Sequence, residues 1–350
     1  FFALPMGFVV DRFGRKNGLL ARSILLAVAV VGAAIWPQVW VLYAMNVIFG
    51  VVQSLSAVIM SPFLMENSGE QERTYLFSFS SGLMMVSASI GNWVGGYLPT
   101  WMGAYHNVDP ESSTAYAWAL ASVAFVALLG IIPVALLKIA KGEKTARNFN
   151  PIGLLRQKPA LLIKLLLPSL IISTGAGLFM PFMNVFYREV HGQSDQVIGT
   201  LFAWGSLAMG VGLLLAPAIA GRIGKIQLVV LSQGLSIPFM VLLGFAPFTI
   251  SALAYYVRMA LMNMSSPIYQ TFVMEKVDTS ERTTVASLAS MVWTSGRAFS
   301  PTISGWLQVN YGFTPVFVLA IMLYTCAIPL YWLFFLRRPK DEPAFMAQGH

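Results

Sequence analysis

A polar turn near the start of the chain reads Gly7-Phe8-Val9-Val10-Asp11-Arg12-Phe13-Gly14-Arg15-Lys16 and lies between two apolar runs. Gly14 permits a tight turn, because glycine adopts backbone conformations that other residues avoid. Gly7 lets a neighbouring helix approach closely, and Asp11 can meet the positive N-terminal end of another helix. The stretch therefore predicts a short, basic, tightly turned loop that joins two helices.

Apolar runs extend over the whole chain, which carries 57% hydrophobic and 10% charged residues. Soluble domains carry about 25% charged residues, so a water-soluble fold is excluded. Runs of roughly 20 apolar residues recur, and each is long enough to cross a hydrocarbon core of about 30 Å. The alternating pattern of a membrane barrel is absent, which leaves helices as the spanning element. The sequence thus predicts an all-α polytopic membrane protein.

Eleven apolar segments are candidates for membrane spans. They cover residues 1–10, 17–36, 39–64, 75–98, 115–138, 163–187, 196–219, 226–246, 249–273, 284–307 and 314–336. Folds built by duplication have even counts, so the odd number is unexpected. Because Phe1 already lies inside an apolar run, we expect one further helix before it. The prediction is then two bundles of six helices, with eleven of the twelve helices present.

The basic residues fix a predicted orientation. Alternate connections hold 19 of the 22 Lys and Arg residues, whereas the opposite connections hold only Arg188. By the positive-inside rule, the loop at 11–16 and the C-terminus are cytoplasmic. We expect a multi-pass protein of the cytoplasmic (plasma) membrane. The charge of +8 marks this orientation, so the sequence predicts no nucleic-acid partner.

The longest polar connection divides the chain into four predicted parts. Residues 1–138 form an N-terminal helical bundle, and residues 139–162 form a cytoplasmic linker. Residues 163–338 form a C-terminal helical bundle, and residues 339–350 form a cytoplasmic tail. The linker separates five spans from six, which becomes six and six once the expected first helix is added.

An internal repeat supports this division. A shift of 209 residues places Met65-Glu66 on Met274-Glu275 and Glu72-Arg73-Thr74 on Glu281-Arg282-Thr283. Six of fourteen positions match across 65–78 and 274–287. Apolar helices often match by chance, but polar matches in the same order at cytoplasmic loops do not. The sequence predicts two parallel repeats related by an axis along the membrane normal.

The turn at 7–16 resembles the signature of the major facilitator superfamily: Gly, three residues, Asp-Arg, one residue, Gly-Arg and a basic residue. In that family the signature lies between the second and third helices, and the resemblance here covers the entire chain. It implies two six-helix bundles that rock about a central site and expose it alternately to each side. The alternative is a basic loop that only sets membrane topology.

The spacing of Glu66 to Arg73 returns as Glu275 to Arg282 and resembles a pair that sugar porters place after their fourth and tenth helices. A ring of such ion pairs could latch a cytoplasmic gate in one state and open in the other. Ion pairs at a wet surface contribute about 1 kcal/mol or less, so only a network would bias the equilibrium. The predicted gating residues are Gly7, Asp11, Arg12, Gly14, Arg15, Glu66, Arg73, Arg222, Glu275 and Arg282.

The segment Gly91-Asn92-Trp93-Val94-Gly95-Gly96 resembles the drug-antiporter motif Gly-Pro-x-x-Gly-Gly, with Asn92 in place of the proline. Its repeat, 300–305, keeps the proline and exchanges glycines for serines. Small residues at this spacing also serve plain packing between helices. The predicted packing residues are Gly91, Gly95, Gly96, Pro301 and Gly305.

Two arginines, Arg258 and Arg297, fall inside predicted spans, whereas no Asp or Glu does. An arginine deep in a membrane is rare and usually faces a cavity or a partner. In one interpretation both arginines line a central cavity and bind an anionic group through their forked donors. In the other, at least one pairs with an acid on the expected first helix or extends its head group towards the interface.

The resemblance implies a cavity lined by the fourth, seventh and tenth helices, among others. The predicted substrate-binding residues are Arg258, Arg297, Asn46, Gln53, Asn184, Tyr255, Asn263 and Trp293. Each polar residue among them has the alternative role of an interhelical hydrogen bond.

These observations predict a secondary active transporter of a small organic solute, coupled to a proton or another ion. Drug-like efflux and organic-anion transport both remain open; a membrane receptor built on the same fold is the alternative. We expect a monomer in the lipid bilayer, with a small-molecule substrate and a coupling ion as partners. No nucleotide-binding, nucleophile or metal-binding motif is found, so we expect no cofactor, no metal, no catalytic residue and no enzyme. The lone Cys326 excludes a disulfide within the chain.

Overall fold

The computed structural model describes residues 15–36, 38–66, 70–136, 156–278 and 281–336, and every regular element within these ranges is helical. The predicted segment 1–10, the tail and most of the linker lie outside the described residues. So do four predicted gating residues, Gly7, Asp11, Arg12 and Gly14. The boundaries of the four predicted parts therefore stay predictions.

The first helices follow the predicted spans within a few residues at most ends. They are α1 (Arg15–Ile35), α2 (Val39–Glu66), α3 (Glu70–His106), α4 (Ser113–Leu129) and α5 (Ile131–Leu136). Ser112 caps α4, because its hydroxyl accepts a hydrogen bond from the backbone N–H of Ala115. The predicted span 115–138 is divided into α4 and α5 at Gly130.

The later helices begin after the linker. They are α6 (Pro159–Phe179), α7 (Met183–Glu189), α8 (Asp195–Ile223), α9 (Lys225–Phe245), α10 (Phe248–Glu275), α11 (Arg282–Tyr311) and α12 (Thr314–Phe335). A 3₁₀ turn at Met180–Phe182 separates α6 from α7. Pro181 lies in this turn and has no backbone N–H to donate, so the α-helical hydrogen bonding is interrupted inside one predicted span.

Seven helical segments among the described residues are long and apolar enough to cross a membrane. They lie at Lys16–Ile35, Val39–Ser56, Ser113–Leu136, Pro159–Glu189, Asp195–Ile223, Lys225–Phe245 and Thr314–Phe335. The predicted spans in α3, α10 and α11 are also helical, with 37, 28 and 30 residues. These three carry more polar side chains, as helices do when one face meets water or another helix.

The chain forms two compact units. One contains residues 1–147 and 195–203, and in it α1 packs against α2, α4 and α5, while α3 packs against α4. Its core includes Leu19, Leu55 and Ile59. The other contains residues 148–194 and 204–350, and in it α6 packs against α11 and α12, while α9 packs against α10 and α12. The first nine residues of α8 belong to the first unit.

The predicted repeat appears in the helix bounds. α1 and α9 both have 21 residues and are offset by 210 positions at each end. α2 and α10 both have 28 residues and are offset by 209 positions at each end. Equal lengths in equal order are the expected result of two copies of one helical unit.

Candidate functional site

Arg258 lies in α10 in the interior of the second unit, with only 3% of its surface exposed. Its guanidinium carbon lies 4.7 Å from the ring centroid of Phe179 and 5.0 Å from that of Tyr324. Its Nη2 donates to the sulfur of Met240 at 3.6 Å, and its Nε has no hydrogen-bond partner among the described residues. Aromatic faces are electron-rich, so two of them partly compensate the buried charge.

These partners belong to α6, α9 and α12, which pack together inside the second unit. Tyr255, one turn earlier on α10, is also buried there, and its ring lies 6.3 Å from that of Tyr187. Gly205 on α8 leaves the space that Tyr255 fills, since a Cβ at Gly205 would lie 3.1 Å from the Tyr255 Cζ. Arg258 and Tyr255 thus pack among helices of one unit, and their predicted contact with substrate stays a prediction.

Arg297 has the opposite environment. Its side chain is exposed, and it forms no hydrogen bond or ion pair with any residue in the described ranges. Its backbone is held close to α6, because a Cβ at Gly177 would lie only 3.0 Å from the Arg297 Cα. The adjacent Gly296 packs against Ser173 of α6 in the same manner. One side of α11 therefore packs through small residues, and the guanidinium points away from that contact.

Four residues of α11 form what we call the polar stripe: Ser290, Trp293, Thr294 and Arg297. Their spacing of i, i+3, i+4 and i+7 places them on one face of the helix. All four are exposed, Trp293 by 38%. The stripe brings together two of the predicted substrate-binding residues, Trp293 and Arg297; Ser290 and Thr294 were not predicted, although their helical spacing from Arg297 is visible in the sequence.

The two arginines contact the same short part of α6 from different helices. Arg258 covers the ring of Phe179, the last residue of α6, and Arg297 lies against Gly177, two residues earlier. The 3₁₀ turn at Met180–Phe182 follows directly, and Asn184, a predicted substrate-binding residue, is exposed just beyond it. Interrupted helices in transporters often lie beside the site that binds the solute.

The remaining predicted amides are divided between the two units. Asn46 and Gln53 are exposed on α2 of the first unit, and Asn263 is half-buried on α10 of the second. Asn46 donates to the carbonyl of Leu42 at 2.9 Å, and Asn263 donates to the carbonyl of Met259 at 2.9 Å. Each amide uses its nitrogen in this bond, and its predicted contact with substrate stays a prediction.

At the predicted cytoplasmic end of the second unit, Lys225 forms an ion pair with Glu275. Gly224 precedes Lys225 and adopts a φ of 97°, a conformation that favours glycine. It is the repeat counterpart of Gly14, for which a tight turn is predicted. Arg222 is exposed, and it is Lys225 that meets the predicted gating residue Glu275. The side chains of the other predicted gating residues, Arg15, Glu66, Arg73 and Arg282, lie outside the described part.

A second ion-pair group at this end was not predicted. The ammonium of Lys158 lies 2.6 Å from Asp278 and 2.9 Å from Glu281. Hydrogen bonding to the two carboxylates raises the pKa of Lys158, and hydrogen bonding to Lys158 lowers the pKa of Asp278. Lys158 thereby connects the start of α6 to the segment between α10 and α11. The repeated Glu-Arg-Thr around Glu281 was the available signal, but nothing in the sequence pointed to Lys158.

The Gly-rich segment of α3 makes one very close contact. A Cβ at Gly96 would lie 2.9 Å from the Gly199 Cα in the first turns of α8. Gly91 and Gly95 have open space where a Cβ would be, and Gly305 has only the ring of Phe182 at 4.0 Å. Asn92 donates to the carbonyl of Phe202 at 3.4 Å. Pro301 lies inside α11.

Further polar bonds join the start of α8 to α3 and to α4. Gln196 donates to Thr100 at 2.7 Å, and Tyr116 donates to Asp195. Asp195 is the first residue of α8, where a carboxylate is favoured by the helix dipole.

Similar proteins agree with this architecture. The family model of the Major Facilitator Superfamily matches residues 1–301. The multidrug resistance protein MdtG of Klebsiella pneumoniae (strain 342) is 23% identical over 352 residues, which cover 96% of this chain and 80% of that protein.

Two solved structures have the same fold. A bacterial homologue of the human lysosomal transporter Spinster, inward-facing and occupied, has a TM-score of 0.73 at 14% identity, covering 95% of this chain and 84% of that one. A D-xylose-proton symporter has a TM-score of 0.73 at 16% identity, covering 95% and 83%. The chain belongs to the Major Facilitator Superfamily, whose members are membrane transporters and not enzymes.

Proposed function

We propose that the protein is a secondary active transporter that exports small organic molecules in exchange for protons by alternating access. The polar stripe on α11 carries this proposal. A charged side chain in a membrane helix is expensive to maintain unless it meets water, a partner or a solute. Arg297 is exposed and has no partner among the described residues, so a water-filled solute path is the environment that suits it.

Export of organic molecules is supported by the relative MdtG, which is named a multidrug resistance protein. The Gly-rich segment of α3 adds to this support through its resemblance to the drug-antiporter motif. Proton coupling is supported by a neighbour of the same fold that is named a proton symporter. The proposal for this chain is a proton antiporter that acts as a monomer in the lipid bilayer.

We assign different roles in transport to the predicted substrate-binding residues. Arg297, Trp293 and Asn184 are exposed close to the interrupted helix, and we assign them direct contact with the solute. Asn46 and Gln53 are exposed on α2, and we propose that they too offer polar groups to a solute. Arg258, Tyr255 and Asn263 support the helices that present the first three.

The ion pairs fit a gate on the cytoplasmic side. In the orientation that the positive-inside rule predicts, the pairs of Lys225 with Glu275 and of Lys158 with Asp278 lie at the cytoplasmic ends of their helices. The C-terminus is cytoplasmic in the same orientation. We propose that these pairs hold the inner ends of the second unit together, while the predicted gating residues around Gly7 to Arg15 and Glu66 to Arg73 act in the first unit.

Transport by purified protein in proteoliposomes tests the proposal. With the vesicle interior made acidic, an antiporter should accumulate an organic dye, and a protonophore should abolish the accumulation. Accumulation only when the outside is acidic would contradict antiport and indicate symport. Complete absence of both driven uptake and counterflow would contradict transport and favour the receptor alternative.

A further inference from the structure

The exposed surfaces of α9 and α11 differ in chemical character. All exposed residues of α9 from Leu231 to Phe245 are apolar, which suits contact with lipid tails. On α11, the large exposed residues Met291, Phe299 and Trp306 lie on one side, where the smaller Ser295 and Thr302 are also exposed. The polar stripe lies on a different side of the same helix, next to the face that packs on α6. Helix α11 therefore has one largely apolar face, which suits contact with lipid, and one polar face, which suits contact with water.

The composition of the polar stripe restricts what it would bind. Arg297 supplies a permanent positive charge and up to five N–H donors in a planar fork that matches carboxylate, sulfonate or phosphate oxygens. Trp293 supplies a large aromatic face one helical turn away, at a Cβ separation of about 6 Å. Ser290 and Thr294 add small hydroxyl groups between them. No acidic side chain belongs to the stripe.

From this arrangement we infer that the transporter selects amphipathic organic anions: molecules with an aromatic or other flat apolar body and a single anionic group. The anionic group binds Arg297, and the apolar body lies against Trp293. The inference rests on the proposed transport function and deepens it, since it names the substrate class of that same site.

The second arginine does not share this task. The Arg258 guanidinium already lies against the rings of Phe179 and Tyr324, and its side chain is buried. A solute that reached it would have to displace packed side chains. The anion selectivity therefore depends on Arg297, which separates this inference from one that requires a pair of arginines.

Three probes with one aromatic body and different charges test the inference. They are 2-naphthalenesulfonate, the neutral 2-naphthalenesulfonamide and the cationic 2-naphthylmethylamine, each added as a competitor of driven dye uptake in proteoliposomes. We expect the sulfonate to inhibit at a concentration about tenfold lower than the other two. Equal inhibition by all three, or preference for the cation, would overturn the inference.

Three variants assign the preference to the stripe. In Arg297→Gln the tenfold preference for the sulfonate should disappear, while Arg297→Lys should retain part of it because the charge remains. In Trp293→Leu the inhibitory concentration of all three probes should rise about fivefold, and the sulfonate should remain the strongest inhibitor. Arg156→Gln is the matched control, because it removes an exposed arginine that lies outside the candidate membrane spans. A preference that survives in Arg297→Gln would overturn the assignment.

The design separates failure of the inference from failure of the proposed function. If driven dye uptake is present but shows no preference for the anion, transport stands and the substrate class is wrong. If no driven uptake occurs under either pH gradient, the proposed function itself is wrong.

Discussion

Arg258 and Arg297 are equivalent in the sequence, as single arginines within apolar spans, and opposite in the structure. Arg258 is buried between two aromatic rings and a methionine sulfur, whereas Arg297 is exposed on the polar stripe. Both lie against the last residues of α6, before its interruption. The comparison indicates two environments for an arginine in a predicted span: a cage of polarisable side chains, or exposure on a polar helix face.

The two solutions imply different tasks. A caged arginine contributes to the packing of α6, α9, α10 and α12, so its loss should affect folding more than transport. An exposed arginine contributes little to packing, so its loss should affect transport more than folding. The predictions below test this division, beginning with the largest expected effect.

Replacement of Arg258 with Ala should lower the free energy of unfolding by about 2–4 kcal/mol. The change removes two desolvated cation–π contacts and leaves a cavity between packed helices. Unfolding in mixed detergent and SDS micelles measures the effect. Arg258→Met, which fills the volume without the charge, should recover part of the loss, and Arg297→Ala should have nearly the stability of the wild type. Equal stability of the Arg258→Ala variant and the wild type would refute the cage.

Replacement of Gly177 with Val should destabilise the second unit by about 1–3 kcal/mol, because the side chain would overpack the contact with α11 at Arg297. The same change should displace the polar stripe and reduce transport. The matched control is Gly234→Val on α9, where the position of a Cβ has nothing within 4 Å. Unfolding midpoints and transport rates of both variants check this. Similar behaviour of the two variants would argue against close packing at Gly177.

A cysteine on the polar stripe should be labelled about tenfold faster than a cysteine on an apolar exposed surface, because the stripe is accessible to water. In a Cys326→Ser background, Arg297→Cys should react readily with a membrane-impermeant maleimide, because a thiol in water forms the reactive thiolate. Cys326 itself, exposed on α12 beside apolar residues, should react slowly in the wild type. Arg258→Cys should also react slowly, since the position is buried. Slow labelling of Arg297→Cys would place that position in lipid and contradict the aqueous face.

Lys158 is a titratable cation outside the candidate membrane spans, so its contribution to stability reflects its charge and not burial. The raised pKa of Lys158 means that its stabilising contribution is present below the ordinary value of 10.5 and is lost as pH rises through the raised value. The lowered pKa of Asp278 means that its contribution is present above 3.8 and is lost as pH falls through the lowered value.

The difference in unfolding midpoint between wild type and Lys158→Met should therefore be small and constant from about pH 5 to about pH 9. It should decrease outside that range. The difference between wild type and Arg258→Met should show no such dependence, since Arg258 contacts aromatic rings and a methionine sulfur and forms no ion pair with a carboxylate among the described residues. Thermal unfolding from about pH 3 to about pH 11, which extends beyond the constant range at both ends, measures both differences. A parallel pH dependence of the two over this wider range would contradict the assignment.

Most helix positions could be predicted from the sequence, because apolar length marks a span directly. The segments 226–246 and 249–273 correspond to α9 and α10 within two residues at each end. Helix α3 differs most, since it begins at Glu70 and ends at His106, well outside the predicted 75–98. Hydropathy marks where a helix meets lipid, and polar residues such as Glu70 extend it beyond the membrane.

The interruption between α6 and α7 was missed, although Pro181 was visible in the sequence. Many prolines in membrane helices leave the helix continuous: Pro168 and Pro217 lie inside α6 and α8. The burial of Arg258 and the exposure of Arg297 could not be predicted from the sequence either, because each depends on which neighbour packs against one helical face. The pairing of Lys158 with Asp278 joins residues 120 positions apart, and no local pattern encodes it.

The offset between the repeated helices changes from 210 to 209 at one place. Three residues separate α1 from α2, and two separate α9 from α10. Across these four helices, the two halves therefore differ in length by one residue, which a single inserted or deleted codon would produce. The change lies in a connection between helices, where it alters no helix register. The paired helices keep equal lengths, while their side chains differ enough to place a buried arginine at position 258 and a phenylalanine at its counterpart, Phe49.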